Sequence, residues 1–114
     1  MTVDIIGKEP NNEEGRWFGR NNVTWSVIGL YILDVVPTDI TAKVKHWFTN
    51  DGDGLDKDFS LWLANYLREE LESGRTKEYF MKEEDNTPKL LKIRLSNITQ
   101  FCEFLENCGG FEIW

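Results

Sequence analysis

Apolar residues recur at helical spacing in several stretches of the chain and alternate in others. Between 58 and 73, Phe59, Trp62, Leu63, Tyr66, Leu67 and Leu71 fall at steps of three and four around single neighbours, which places them on one face of an amphipathic helix. Gly74 stands where a helix-closing glycine belongs, and Asp56 or Asp58 supplies the N-cap. Residues 25–36 show the same spacing in Trp25, Ile28, Tyr31, Ile32 and Val35. Their β-branched content favours a strand, but Pro37 and the length of the run favour a helix capped by Thr24. A further helix is expected at about 39–48, capped by Thr38 or Asp39, with Ile40, Val44, Trp47 and Phe48 turned inward. A last one is expected at about 98–107, capped by Ser96 or Asn97, carrying Ile98, Phe101, Cys102 and Leu105 and stopped by Gly109-Gly110.

Alternation marks the strands. In "KLLKIRL" (89–95), Leu91, Ile93 and Leu95 alternate, and "KEYFMK" (77–82) would be its hairpin partner across the polar "EEDNTP". "RWFGR" (16–20) and the terminal "FEIW" read as short strands. Residues 1–15 have no period and several turn formers, so they are expected to form a flexible arm. The predicted fold is α+β, a single domain over 1–114 with about four helices packed on a small antiparallel sheet.

Composition narrows the function classes. The 114 residues suit one domain and one core, and 40% hydrophobic with 29% charged residues is ordinary for a folded protein. The net charge of −7 disfavours nucleic-acid binding through a basic surface and favours a basic protein partner or simple solubility. The most apolar window, 25–36, is too short to span a bilayer. The N-terminus lacks the basic and apolar regions of a signal peptide, so a cytoplasmic protein is expected, and the Asn22-Val23-Thr24 and Asn97-Ile98-Thr99 sequons carry no weight. Cys102 and Cys108 lie on different faces of a helix and read as reduced thiols, Cys102 in the core and Cys108 accessible near the helix end.

The acidic stretch "FTNDGDGLDKD" (48–58) is the strongest candidate for chemistry. An EF-hand loop needs oxygen ligands at set positions, Gly at position 6 and Glu at position 12. With Gly54 at position 6, Asp51 and Asp53 fall at positions 3 and 5, but Thr49 stands first and Ser60 last. Both terminal ligands are wrong, so Asp51 and Asp53 are weak metal candidates and the stretch reads as an acidic turn. In that reading Asp56 and Asp58 complement the helix dipole.

No catalytic set emerges. His46 is the only histidine and has no nucleophile motif around it. The cysteines and His46 do not match structural zinc spacing, and no phosphate loop is present. A carboxylate site built from Asp34, Asp39 and the loop aspartates is formally possible in a chain with 20 acidic residues. No cofactor is expected. The remaining signal is aromatic: Arg16, Trp17 and Arg20 in "RWFGRNN" are typical interface residues, and Trp114 ends the chain.

Three blocks, "GRWFGRNNVTWSVIGLYIL" (15–33), "FTNDGDGLDKDFSLWLANYLREELESG" (48–74) and "ITQFCEFLENCGGFEI" (98–113), together resemble a group of small bacterial and phage-associated proteins. These share an R-N-N segment, an N-D-G-x-G-L turn before a helix and a closing F-L-x-x-x-G-G-F, and have no assigned function. The resemblance implies an accessory role and transfers no catalytic residues. The expectation is therefore a non-enzymatic protein-interaction module of antagonist, immunity or mobile-element accessory type. Its partner surface would comprise Asp51, Asp53, Asp56, Arg16, Trp17 and Arg20. The alternatives are a divalent-cation-binding helix-loop-helix at 50–58 and a small carboxylate-based hydrolase.

Overall fold

The computed structural model describes residues 2–44, 46–83 and 86–114. Its α+β architecture is the one predicted, a three-stranded antiparallel sheet packed against helices. The strands are β1 (Thr2–Gly7), β2 (Trp17–Asn21) and β3 (Phe111–Ile113), in the order β2-β1-β3. The helices are α1 (Asn22–Val35), the single turn α2 (Thr38–Thr41), α3 (Lys57–Ser73), α4 (Arg75–Met81) and α5 (Pro88–Asn107).

The N-terminal residues correct the expectation of a flexible arm. β1 is the central strand, with Ile5 opposite Phe18 on one side and Ile113 on the other. Val3 and Ile5 are its buried residues. Two inward side chains are too few to give a periodic signal, and both partner strands lie elsewhere in the sequence, one of them at the far end of the chain.

The N-cap of α1 lies three residues before the expected one. The Asn21 side chain accepts from the Thr24 N–H at 2.8 Å, so Thr24 lies inside the first turn. The helix expected at 39–48 stops after α2. Val44 and Trp47 are nevertheless buried as expected, whereas Phe48 is exposed. Indole hydrogen bonds hold this segment in place of a helical ladder: Trp47 Nε1 donates to the Thr41 carbonyl at 3.1 Å, and Trp25 Nε1 to the Trp47 carbonyl at 2.7 Å. α3 follows its prediction, capped by Asp56 onto the Phe59 N–H and closed by Gly74 at φ 86°.

The two expected hairpin strands lie instead in α4 and α5, and residues 84 and 85 of their expected connection lie outside the described residues. Thr87 caps α5 by accepting from the Leu90 N–H at 3.1 Å, and Pro88 occupies the first turn, a position that suits proline. Leu91, Leu95 and Ile98 then follow helical steps toward the core, while Ile93 is exposed. The apparent alternation thus combined one outward residue with two inward ones. Ser96 and Asn97 lie inside the helix.

The core joins both layers. Phe18 meets Phe101 at 5.1 Å between ring centroids, and Trp25 meets Phe101 edge-on at 5.6 Å. Phe104 and Phe111 extend the cluster toward β3. Arg68 of α3 makes two hydrogen bonds to Glu106 of α5, at 3.0 and 2.8 Å. Cys102 is buried as expected; Cys108, expected to be accessible, is buried too. It follows the end of α5, with Ser60 of α3 beside its thiol.

Candidate interaction face on the open side of the sheet

Helix α5 covers the sheet face that carries Val3, Ile5, Phe18, Phe111 and Ile113, all buried. Strand side chains alternate, so the intervening residues project from the opposite face. Three of them are large and apolar: Ile6 is 37% exposed, Trp17 58% and Trp114 52%. Among the described residues, no helix packs over them.

Hydrogen bonds order this face around Asp4. Trp17 Nε1 donates to Asp4 Oδ1 at 2.8 Å, and the Trp114 backbone N–H donates to the Asp4 carbonyl at 2.7 Å. The Trp17 ring lies over Gly19, where a Cβ would come within 2.0 Å of it. The Trp114 ring lies against Gly52, where a Cβ would stand 2.7 Å away. Trp17, Asp4, Trp114 and the turn at Gly52 therefore follow one another across the sheet. Glu112 lies beside Ile6 in register.

The acidic turn completes the sheet. Gly52 N–H donates to the Ile113 carbonyl and Ile113 N–H to the Asp53 carbonyl, both at 2.7 Å, and Phe111 N–H donates to the Leu55 carbonyl at 2.9 Å. An isolated bridge joins Asp56 to Gly110. Residues 52–56 thus run antiparallel along β3 and cover an edge that would otherwise be open to other chains. The glycines follow from this contact. A Cβ on Gly54 would meet the Phe111 carbonyl oxygen at 1.8 Å, and Gly52 has φ 90°.

The aspartates have separate local roles. Asp51 Oδ2 lies 2.7 Å from His46 Nδ1, and Asp53 accepts from the His46 and Gly54 backbone N–H groups at 3.1 and 2.9 Å. Asp56 caps α3. Among the described residues, no group of three or more His, Cys, Asp or Glu side chains is arranged to hold a metal ion. Glu70 and Glu78 line a concavity with Tyr31, Tyr79 and Arg75, and Glu70 is hydrogen-bonded to Arg75. Burial pushes the Cys102 thiol up to about 12 and also raises Cys108, which leaves both protonated and poor nucleophiles at neutral pH.

The structure divides the six residues singled out from the sequence. It brings Trp17 and the Asp51–Asp53 turn to the open sheet through Trp114. It places Arg20 against α5, donating to Asn97 Oδ1 at 3.0 Å and to Gln100, with its guanidinium over the Phe18 ring. Arg16 pairs with Glu13 at 3.0 Å, both side chains exposed, at the 3-10 turn Glu13–Gly15. Asp4, Ile6 and Glu112 were not singled out. For the first two, the trace in the sequence is their alternation with Val3 and Ile5. Compared with protein-family models, curated proteins and solved structures, the chain has no significant match in any of the three.

Proposed function

We propose that the protein is a non-enzymatic binding module that takes a basic segment of a partner protein on the open face of its sheet. The accessory or immunity-type role implied by the three resembling blocks is consistent with such a module. The supporting observation is the pairing of exposed Trp17 and Trp114 with the carboxylates of Asp4 and Glu112, around an exposed Ile6. The outward positions of the three strands carry no Lys or Arg. Indole faces attract ammonium and guanidinium groups, carboxylates beside them steer those groups, and Ile6, next to Trp17 and Glu112 in register, offers an apolar contact. Asp51, on the flanking turn, adds negative charge.

Calorimetric titration with Lys- and Arg-rich peptides tests this reading. The wild-type protein binds with an affinity that weakens as salt rises to about 0.3 M. The Trp17→Ala/Trp114→Ala variant and the Glu112→Gln variant each lose about tenfold or more. Equal binding by wild type and both variants overturns the assignment.

A further inference from the structure

The two edges of the sheet differ. The outer edge of β3 is paired with residues 52–56, whereas β2 is the other edge strand. The bonding pattern fixes which backbone groups of β2 are already used. Gly7 N–H donates to the Arg16 carbonyl at 3.0 Å, and residues along an antiparallel pair alternate between bonded and non-bonded positions. Phe18 and Arg20 therefore turn their N–H and C=O groups toward Ile5 and Val3 of β1. The other side of β1 has the matching phase: Trp114 N–H donates to the Asp4 carbonyl, and Lys8 N–H donates to the Gly110 carbonyl.

Trp17 and Gly19 consequently direct their backbone groups away from β1. The Arg20 Nη1 donates to the Gly19 carbonyl at 2.7 Å. The Trp17 N–H, the Trp17 carbonyl and the Gly19 N–H have no partner among the described residues. Unpaired donors and acceptors at alternate residues of an edge strand are a template for one more strand.

Resting on the function proposed above, we infer that the basic segment of the partner is held in extended form as a fourth strand along β2. In this mode main-chain hydrogen bonds give affinity and alternate side chains give selectivity. The Trp17 ring lies over Gly19, and Asp4, the register partner of Gly19 on β1, accepts from its indole N–H. A Lys or Arg placed opposite Gly19 meets no side chain of that residue and reaches the indole. The outward positions of the sheet hold no cation to repel it. A second copy of this chain fits less well. A two-fold pairing centred on Gly19 would need the carbonyl that Arg20 holds, and it would join two molecules of net charge −7.

The test uses the full chain and a synthetic peptide of about seven residues that alternates Lys with Thr. Amide hydrogen exchange followed by NMR is expected to be fast at Trp17 and Gly19 in the free protein and slow at Phe18 and Arg20. Saturating peptide slows Trp17 and Gly19 by about tenfold or more. Two further peptides carry N-methyl groups, one on every Lys and the other on every Thr. Only one of these sets of amides faces β2, so one peptide loses about tenfold or more in affinity and the other binds within about threefold of the parent. Equal effects of the two methylations overturn the added strand, as does unchanged exchange at Trp17 and Gly19 with peptide bound. If the Trp17→Ala/Trp114→Ala variant still loses the peptide in that case, binding on the open face stands without the strand. Failure of the unmodified peptide to bind overturns both. Slow exchange at Trp17 and Gly19 in the free protein also overturns the proposal, and assigns the edge to self-association where the protection falls on dilution.

Discussion

At the residue scale the glycines show what spacing conveys and what it hides. Gly74 is legible because it follows an amphipathic helix, and its φ of 86° confirms the expected left-handed closure. Nothing lies within 4 Å of a Cβ built there, so Gly74→Ala is expected to lose only the backbone preference, about 1–2 kcal/mol. Gly54 is different. In sequence it looks like one more turn glycine, yet its requirement comes from the Phe111 carbonyl, 57 positions away. Gly54→Ala puts a methyl 1.8 Å from that oxygen and must displace the 52–56 segment from β3. Urea unfolding should show a loss of about 3 kcal/mol or more. A loss no larger than that of Gly74→Ala would mean that the close approach to β3 is absent. Ser60 offers a complementary case. Its buried hydroxyl has no oxygen or nitrogen partner among the described residues and lies beside the Cys108 thiol, a weak partner, so Ser60→Ala should change stability by no more than about 1 kcal/mol.

At the element scale, α3 was fully legible because its cap, apolar face and closing glycine are all local. The sheet was only partly legible: β2 and β3 were found from short alternating runs, whereas β1 depends on partners at both ends of the chain. The α5 region misled because three aliphatic residues at alternate positions fit a strand as well as a helix, and the distinguishing cap, Thr87-Pro88, sits in a polar stretch that reads as a turn. The open face was partly legible too. Trp17 and the acidic turn stood out, but their connection runs through Asp4 and the terminal Trp114. A capping comparison checks the long helix. Thr87 accepts from Leu90 N–H, so Thr87→Ala should cost about 1 kcal/mol. Ser96, in mid-helix with its hydroxyl accepting from Gln100 Nε2 at 3.1 Å, should tolerate Ala or gain a few tenths of a kcal/mol. Denaturant unfolding of both variants decides between the 88–107 helix and one that begins at Ser96 or Asn97, which requires the opposite order.

At the scale of the whole molecule, the core buries groups that must keep their protons, and this sets an alkaline limit. Burial pushes Tyr31 up to about 12, against the opposing effect of its hydrogen bond to Thr76. It raises Cys102 to about 12 and Cys108 in the same direction. In the unfolded chain thiols ionise near 9 and tyrosine near 10. Above those values the unfolded state releases protons that the native state retains, so the equilibrium moves toward unfolding as pH rises. Below about pH 9 the contribution of these groups is fully present. Between about 9 and 12 it falls by about 1.4 kcal/mol per pH unit for each group ionised only in the unfolded chain. Against about 5–15 kcal/mol of stability this is a large fraction, so the protein should lose much of its stability within that window, although none of these groups is exposed. Urea titrations at stepped pH are expected to give a constant unfolding free energy from neutral to about pH 9 and a steep decline beyond it. Cys102→Ala should make the decline shallower between pH 9 and 10, where only the thiols contribute, whatever its effect at neutral pH. The same burial should keep both cysteines unreactive toward a thiol reagent at pH 8 until urea unfolds the chain. A flat profile to pH 12, or rapid labelling of the native protein, would show that the thiols and Tyr31 are not enclosed by the packing of α5, α3 and the sheet.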